Sequence, residues 1–207
     1  MAPPLVLASA SPRRAELLRG LGVRFEQVLS GVPEDHALPE PEDAAVDVAL
    51  RKAAAVSVGR PDALVLGADT VVVTPEGDIL DKPADRGEAA GHLMRLSGRT
   101  HRVITGLALV HPARPGPLTC AESTRVTMRP YTRDEAVRYA ASGESLDKAG
   151  AYGIQGRGGL LVERVEGCYF NVVGLPLVRL ARMLSDLGWD PVREWLGPED
   201  ERGTESG

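Results

Sequence analysis

One stretch of the chain, from Ala63 to Thr74, is almost entirely apolar and carries a single acidic residue, Asp69, near its centre. Such a run is typical of a central strand that is buried on both faces of a sheet. A carboxylate is costly to bury there unless another group pairs with it. A metal ion, a general-base role or a buried ion pair would each explain Asp69, and a purely structural carboxylate is the alternative.

Strand and helix patterns alternate in the first part of the chain, and a strand hairpin follows in the middle. This order favours an α/β fold with a mixed central sheet flanked by helices, in two lobes with a cleft between them. We predict strands at 4–8, 23–29, 63–74, 79–80, 100–111, 118–128 and 160–165, and helices at 12–21, 42–58, 86–96, 132–142 and 175–187. Residues 1–197 are expected to form one domain, and the polar segment 198–207 is expected to be a flexible tail.

The composition excludes several classes of protein. A net charge of −5 argues against a general nucleic-acid binder, although a small anionic ligand could still bind a local basic pocket. The apolar runs are far too short to cross a bilayer, and the N-terminus lacks the pattern of a secretory signal. The two cysteines, Cys120 and Cys168, have no metal-ligand spacing. We therefore expect a cytoplasmic protein with no nucleic-acid partner and no membrane partner.

Lysine is rare in this chain. Only three of the 24 basic residues are lysines, at Lys52, Lys82 and Lys148, and arginine is the ordinary surface cation. A compact ammonium differs from a planar guanidinium in the sites that it suits. Each lysine is therefore a candidate functional residue, although any one of them could be there by chance. If the strands fold back, Lys52 and Lys82 could both reach toward Asp69.

The segment Ser9-Ala-Ser-Pro-Arg-Arg14 lies where a strand leads into a helix. Backbone N–H groups at a helix start, two hydroxyls and two guanidiniums together favour an anion such as a phosphate chain. The same residues also fit ordinary helix capping with two solvated arginines.

A glycine-rich segment from Leu146 to Gly156 gathers Lys148, Tyr152 and Gln155. The Gln155 amide could read a base edge with one donor and one acceptor, and Tyr152 could stack on a ring. His101, on a predicted strand, is interpreted as a structural histidine rather than a catalytic one.

These segments, taken in order, resemble the Maf family of nucleotide pyrophosphatases. The resemblance implies a fold similar to that of the inosine triphosphate pyrophosphatases and hydrolysis of nucleoside triphosphates to monophosphate and pyrophosphate. It also implies a divalent metal cofactor, Mg or Mn, and a homodimer. The motifs that carry it are Ser9 to Arg14, Gly67 to Thr70, Lys82-Pro83, Ser97-Gly98 with Thr100-His101, Asp147 to Gly156, and Val173-Gly-Leu-Pro-Leu177.

Three positions resemble the branch of the family that acts on dTTP and UTP. These are Arg13, Thr70 and Gln155, whereas the branch that acts on 7-methylguanosine triphosphate usually differs at the corresponding positions. An uncharged glutamine suits a neutral pyrimidine, and a carboxylate would suit a cationic methylated guanine. Glu34 aligns with a family glutamate implicated in metal or water handling, although Pro33 stands where relatives often have an acidic residue.

The resemblance implies the following site. Asp69, Lys82 and Lys52 would be catalytic; Ser9, Arg13, Arg14, Thr70, Lys148 and Gln155 would bind substrate; Glu34 and Asp69 would hold the metal. Two alternatives to dTTP/UTP hydrolysis stay open: a pyrophosphatase for another nucleotide, such as 7-methylguanosine triphosphate, and a nucleotide-binding regulator of septum formation.

Overall fold

A computed structural model describes residues 3–111 and 113–191. The strands are β1 Leu5–Ala8, β2 Phe25–Val28, β3 Leu64–Val73, β4 Ile79–Leu80, β5 Thr100–Val110, β6 Leu118–Met128 and β7 Val162–Glu166. The helices are α1 Pro12–Gly20, α2 Pro41–Ser57, α3 Arg86–Leu96, α4 Arg133–Ala140, α5 Tyr169–Val173 and α6 Leu177–Asp186. The predicted tail, 198–207, lies outside the described residues. Among those residues, no helix combines the length and the apolar character needed to cross a membrane.

The strands form one mixed sheet in the order β2-β1-β3-β5-β6-β7, with β4 paired to β3. Strand β1 is parallel to both β2 and β3, and the other pairs are antiparallel. The prediction of an α/β fold with a mixed central sheet flanked by helices is therefore confirmed. Strand β3 is the long apolar run, and nine of its ten residues are buried.

Helix α2 lies very close to the sheet because two glycines leave room for it. A β-carbon built on Gly67 of β3 would lie 2.0 Å from the Ala49 carbonyl oxygen, and one on Gly106 of β5 would lie 2.3 Å from the Ala45 carbonyl carbon. Both distances are far below van der Waals contact. The alanine-rich face of α2 completes this close packing. As a result, a side chain on the inner face of α2 can reach β3.

The parallel pairing of β1 and β3 brings two predicted motifs together. Ala8 at the end of β1 pairs with Gly67, so Ser9 follows β1 beside the segment that contains Asp69 and Thr70. Asp69 itself pairs with Gly106 on the other side. The predicted phosphate-binding motif and the buried carboxylate are therefore neighbours in space, although about sixty residues separate them in sequence.

The C-terminal part of the chain differs from the prediction. A short helix, α5, forms from Tyr169 to Val173 and ends at Gly174, whose φ of 121° suits glycine. The last helix starts at Leu177 rather than Leu175, with Pro176 at its N-cap. The glycine-rich segment from Leu146 to Gly156 contains a 3-10 turn at Ala149–Ala151, and a second 3-10 helix, Gly156–Leu161, begins at its end. Short helices like these carry too little periodicity to be recognised from sequence.

The close approach of α2 gives a stability prediction. Replacing Gly106 with Ala places a methyl group into the Ala45 backbone, and we expect a loss of about 3 kcal/mol, the upper end of the range for overpacking. Chemical denaturation measures this loss. Gly91→Ala is the matched control, because this α3 position has open space for a β-carbon and alanine favours a helix. A Gly106→Ala protein as stable as Gly91→Ala would contradict the assigned packing.

Candidate active site

A cavity of about 480 Å³ opens where the end of β1 meets the middle of β3. Its polar wall combines the N-terminal segment, the loop after β2 and the segment after β4. Its other wall is formed by the glycine-rich segment and by the C-terminal end of α5, and it includes valines from β3, β5 and α5. The residues predicted to form a site that line this cavity are Ser9, Arg13, Arg14, Glu34, Asp69, Thr70, Lys82, Lys148 and Gln155.

Asp69 lies at the base of this cavity with its side chain only 6% exposed. Lys52 of α2 reaches it from behind the cavity, and its Nζ donates to Oδ1 at 2.8 Å. Burial alone would raise the pKa of Asp69, but the hydrogen bond from His36 and the charges of Lys52 and Arg14 outweigh it, lowering the pKa to about 2. Of the explanations considered for Asp69, a buried ion pair is therefore present.

Glu34 extends this ion pair toward the cavity mouth. Lys52 Nζ also donates to Glu34 Oε1 at 2.6 Å, and Lys82 donates to the other oxygen, Oε2. Burial acts to raise the pKa of Glu34, yet the hydrogen bonds and charges of the two lysines give a net lowering. Lys52 thus contacts both acids, whereas Lys82 contacts Glu34 rather than Asp69.

His36 is a functional candidate that the sequence reasoning missed. Its Nε2 lies 2.9 Å from Asp69 Oδ2, and its Nδ1 lies 3.0 Å from Asp81 Oδ1. The hydrogen bond with Asp69 and the nearby carboxylate charges raise the pKa of His36 despite its partial burial. Its position two residues after Glu34, in a loop rich in acid and proline, was the one available signal.

The two adjacent arginines of the N-terminal segment have different environments. Arg13 is 24% exposed in its side chain, and its Nη1 contacts Asp147 Oδ2 at 2.8 Å. Arg14 is buried, and its guanidinium bonds to three protein oxygens. The Ser9 hydroxyl accepts hydrogen bonds from the Ser11 N–H and from Arg14, so its own proton is free to point elsewhere.

The side chains of the glycine-rich segment differ in burial. Gln155 is exposed at the cavity edge, and Lys148 donates to Asp147 and to the Glu144 carbonyl. Tyr152 is buried, its hydroxyl lies 2.8 Å from His101 Nε2, and the two rings meet edge to face. Burial lowers the pKa of His101 to about 4. These contacts agree with a structural His101 and hold the Tyr152 ring in place.

A buried polar chain behind the cavity was also missed. Thr70 bonds to Thr105, which donates to the Asn171 carbonyl, and the Asn171 amide donates to the Val103 carbonyl and to Thr124. Asn171 is the only asparagine in the chain, and this rarity was a signal that could have drawn attention to it.

The ion pair gives a prediction about stability and pH. Lys52→Met leaves Asp69 buried without its ammonium partner, and we expect a loss of about 3–5 kcal/mol at pH 7. In the native protein the pKa of Asp69 is depressed, so its contribution is complete above pH 4 and is lost as the pH falls toward 2. In the variant the hydrogen bond from His36 and the charge of Arg14 remain, so this pKa should rise toward the unfolded value and the loss should shrink as the pH falls from 7 to 3.

Denaturation of both proteins at the two pH values measures this effect. Lys82→Met is the matched control, because its ammonium is half exposed and exposed pairs contribute at most about 1 kcal/mol. A Lys52→Met deficit that is the same at pH 3 and pH 7 would mean that the stem of Lys52, rather than its charge, stabilises the fold.

Comparison with known proteins places the chain in a family. The family model described as "Maf-like protein" matches residues 4–187. A "dTTP/UTP pyrophosphatase" of Moorella thermoacetica is 55% identical over 188 residues, which cover 90% of this chain and 96% of that protein. Proteins of the same name from Symbiobacterium thermophilum and Deinococcus radiodurans are each 50% identical over 187 residues. The matched region covers 89% and 90% of this chain, respectively, and 94% of each of those proteins. The chain is therefore a member of the Maf family.

Proposed function

We propose that the protein hydrolyses dTTP and UTP to the nucleoside monophosphate and pyrophosphate. The observation that carries this proposal is the buried Lys52–Asp69 pair, which Glu34 extends toward the mouth of a cavity lined by further cations. The names of the relatives that share about half of its residues support the same reaction.

The cations around the cavity suit a triphosphate. Arg13, Lys82 and Lys148 line its wall, each now paired with an acid, and these pairs can exchange for phosphate oxygens. Ser9 can add a hydroxyl donor because its oxygen already accepts from Ser11 and Arg14. Such donors neutralise charge on the leaving pyrophosphate.

Asp69 is the group that we assign to water activation. Its low pKa keeps the carboxylate ionised at neutral pH, ready to accept a hydrogen bond from a water molecule. The water oxygen attacks the α-phosphorus, the bond from that phosphorus to the bridging oxygen breaks, and pyrophosphate leaves. The proton of the water passes toward Asp69, while Lys52 holds the carboxylate in position.

The acids fit a divalent ion that arrives with the substrate. Magnesium usually binds through one or two carboxylates together with phosphate oxygens and water. Glu34 and Asp69 supply two carboxylates on either side of Lys52, and in residues 3–111 and 113–191 there is no preformed cage of three or more such ligands. When bound, Mg²⁺ or Mn²⁺ would neutralise phosphate charge. We assign Glu34 and Asp69 as the residues that would hold it.

The far side of the cavity suits a neutral base. Val72, Val103 and Val172 provide apolar surface, and Gln155 lies at the edge with an amide that can donate and accept. A pyrimidine such as uracil or thymine has an edge that matches this pair of groups. Assembly as a homodimer stays a prediction from the family resemblance, and a cytoplasmic location stays a prediction from the sequence composition.

The role of Asp69 can be tested by substitution. Asp69→Asn keeps the shape of the side chain but removes the carboxylate base, and we expect pyrophosphate release from UTP to fall by about 10²–10⁴-fold. Asp134→Asn is the control, since that aspartate pairs with Arg138 on an exposed face of α4. Near-normal turnover by a folded Asp69→Asn protein would overturn this assignment.

The substrate class can be tested with a panel of triphosphates. We expect kcat/KM for dTTP and UTP to exceed that for 7-methylguanosine triphosphate by at least about 10-fold, with monophosphate and pyrophosphate as products. Gln155→Glu places a negative charge at the base edge and should lower kcat/KM for UTP by about 10-fold, in the range given by one lost hydrogen bond. Binding of UTP without turnover, with metal supplied, would contradict the proposal.

A further inference from the structure

Two neighbouring arginines that look equivalent in sequence make opposite kinds of contact. Arg13 points across the cavity mouth, where an exposed carboxylate, Asp147, is its partner. Arg14 is 6% exposed and lies at the floor of the cavity. A residue that binds an exchangeable ligand needs hydrogen-bond donors that the ligand can reach. A residue that positions other groups of the site needs hydrogen-bond acceptors within the protein.

Each nitrogen of Arg14 bonds to a protein oxygen, and each oxygen belongs to a different segment. Nε donates to the Gly174 carbonyl at 2.7 Å, Nη1 to Ser9 Oγ at 3.1 Å, and Nη2 to Thr70 Oγ1 at 2.8 Å. The three acceptors lie after α5, after β1 and within β3. Arg14 therefore connects both walls of the cavity to the strand that carries Asp69.

The contact with Thr70 leads further into the protein. Thr70 Oγ1 lies 2.9 Å from Thr105 Oγ1, and Thr105 donates to the Asn171 carbonyl at 3.2 Å. Because Thr105 gives its proton to Asn171, Thr70 must donate to Thr105 and accept from Arg14. Thr70 is adjacent to Asp69 in β3, so this chain also fixes the backbone of the proposed base.

We propose that Arg14 is a positioning residue that orders the site, and that Arg13 is the arginine that binds the triphosphate. This inference rests on the proposed function for its kinetic consequence. Lysine cannot replace Arg14, since a single ammonium cannot reach three acceptors held in a planar fork. Lysine can replace Arg13 in part, because a flexible cation still reaches a phosphate.

Substitutions of the two arginines should therefore change different kinetic constants. With UTP, Arg14→Lys should lower kcat by about 10²-fold while KM changes by less than about 3-fold, because displacing the reacting groups by about 1 Å has that cost. Arg13→Lys should raise KM by about 10-fold and leave kcat within about 3-fold. A higher KM with preserved kcat in Arg14→Lys would overturn the division of roles.

Thr70→Val tests the same contact with a smaller change. It removes the hydroxyl that accepts from Arg14, and we expect a selective loss of kcat. The double variant Arg14→Lys/Thr70→Val should be no slower than Arg14→Lys alone, because both changes break one connection. Losses that multiply would contradict the proposal. If Arg14→Lys fails to fold, the effect of Thr70→Val on kcat against KM still decides the question.

Calorimetric binding of pyrophosphate with Mg²⁺ gives a readout that does not need turnover. Arg13→Lys should weaken this binding by about 10-fold, and Arg14→Lys should leave it within about 3-fold. Weaker pyrophosphate binding in Arg14→Lys would overturn the proposal. Absence of UTP and dTTP hydrolysis by the native protein would instead contradict the proposed function, and the binding difference between the two arginines would still stand.

Discussion

The contact between Lys52 and Asp69 sets the conditions for much of this structure. A carboxylate in the middle of the long buried strand is costly unless cations pair with it, and the ammonium of Lys52 reaches it from a helix lying directly on the sheet. A lysine side chain has a fixed reach, so α2 has to approach closely. Gly67 and Gly106 make the approach possible, since any larger residue at either position would meet the α2 backbone. One ion pair thereby accounts for two glycines and for an alanine-rich helix face.

Charges are arranged in layers from the interior to the solvent. Lys52 and Arg14 are buried and bond to protein atoms, while Lys82, Lys148 and Arg13 lie nearer the surface with acids as partners. The outer pairs are held by weak, solvent-screened attraction, whereas the inner contacts are buried and much stronger. A ligand of high negative charge can therefore displace Asp147 from Arg13 and Lys148 without disturbing the Lys52–Asp69 pair or the contacts of Arg14. This division is what allows one cavity to be both rigid at its base and exchangeable at its mouth.

Sequence patterns predicted the fold well wherever a long apolar run or a residue unusual for its surroundings was present. The apolar run of β3 identified the central strand, the isolated Asp69 indicated a buried partner, and the helix predicted from residue 132 begins with Thr132 as the N-cap of α4. Tertiary geometry was harder to predict. The position of His36 between two acids depends on how a proline-rich loop folds back onto β4, and no local pattern encodes that path. The burial of Arg14 next to an exposed Arg13 depends in the same way on the turn of α1.

The buried chain from Arg14 through Thr70 and Thr105 has a consequence for the electric field in the cavity. The Asn171 carbonyl can only accept, so Thr105 turns its proton toward it, and Thr70 in turn donates to Thr105 and accepts from Arg14. The hydroxyl dipoles beside Asp69 therefore have a single orientation before any ligand enters. Water molecules would have to reorient around a developing charge, at a cost in free energy. Hydroxyl dipoles whose direction is already fixed do not have that cost. The hydroxyl groups at the base of the cavity can therefore stabilise a charge as a polar solvent does, with dipoles that are already oriented.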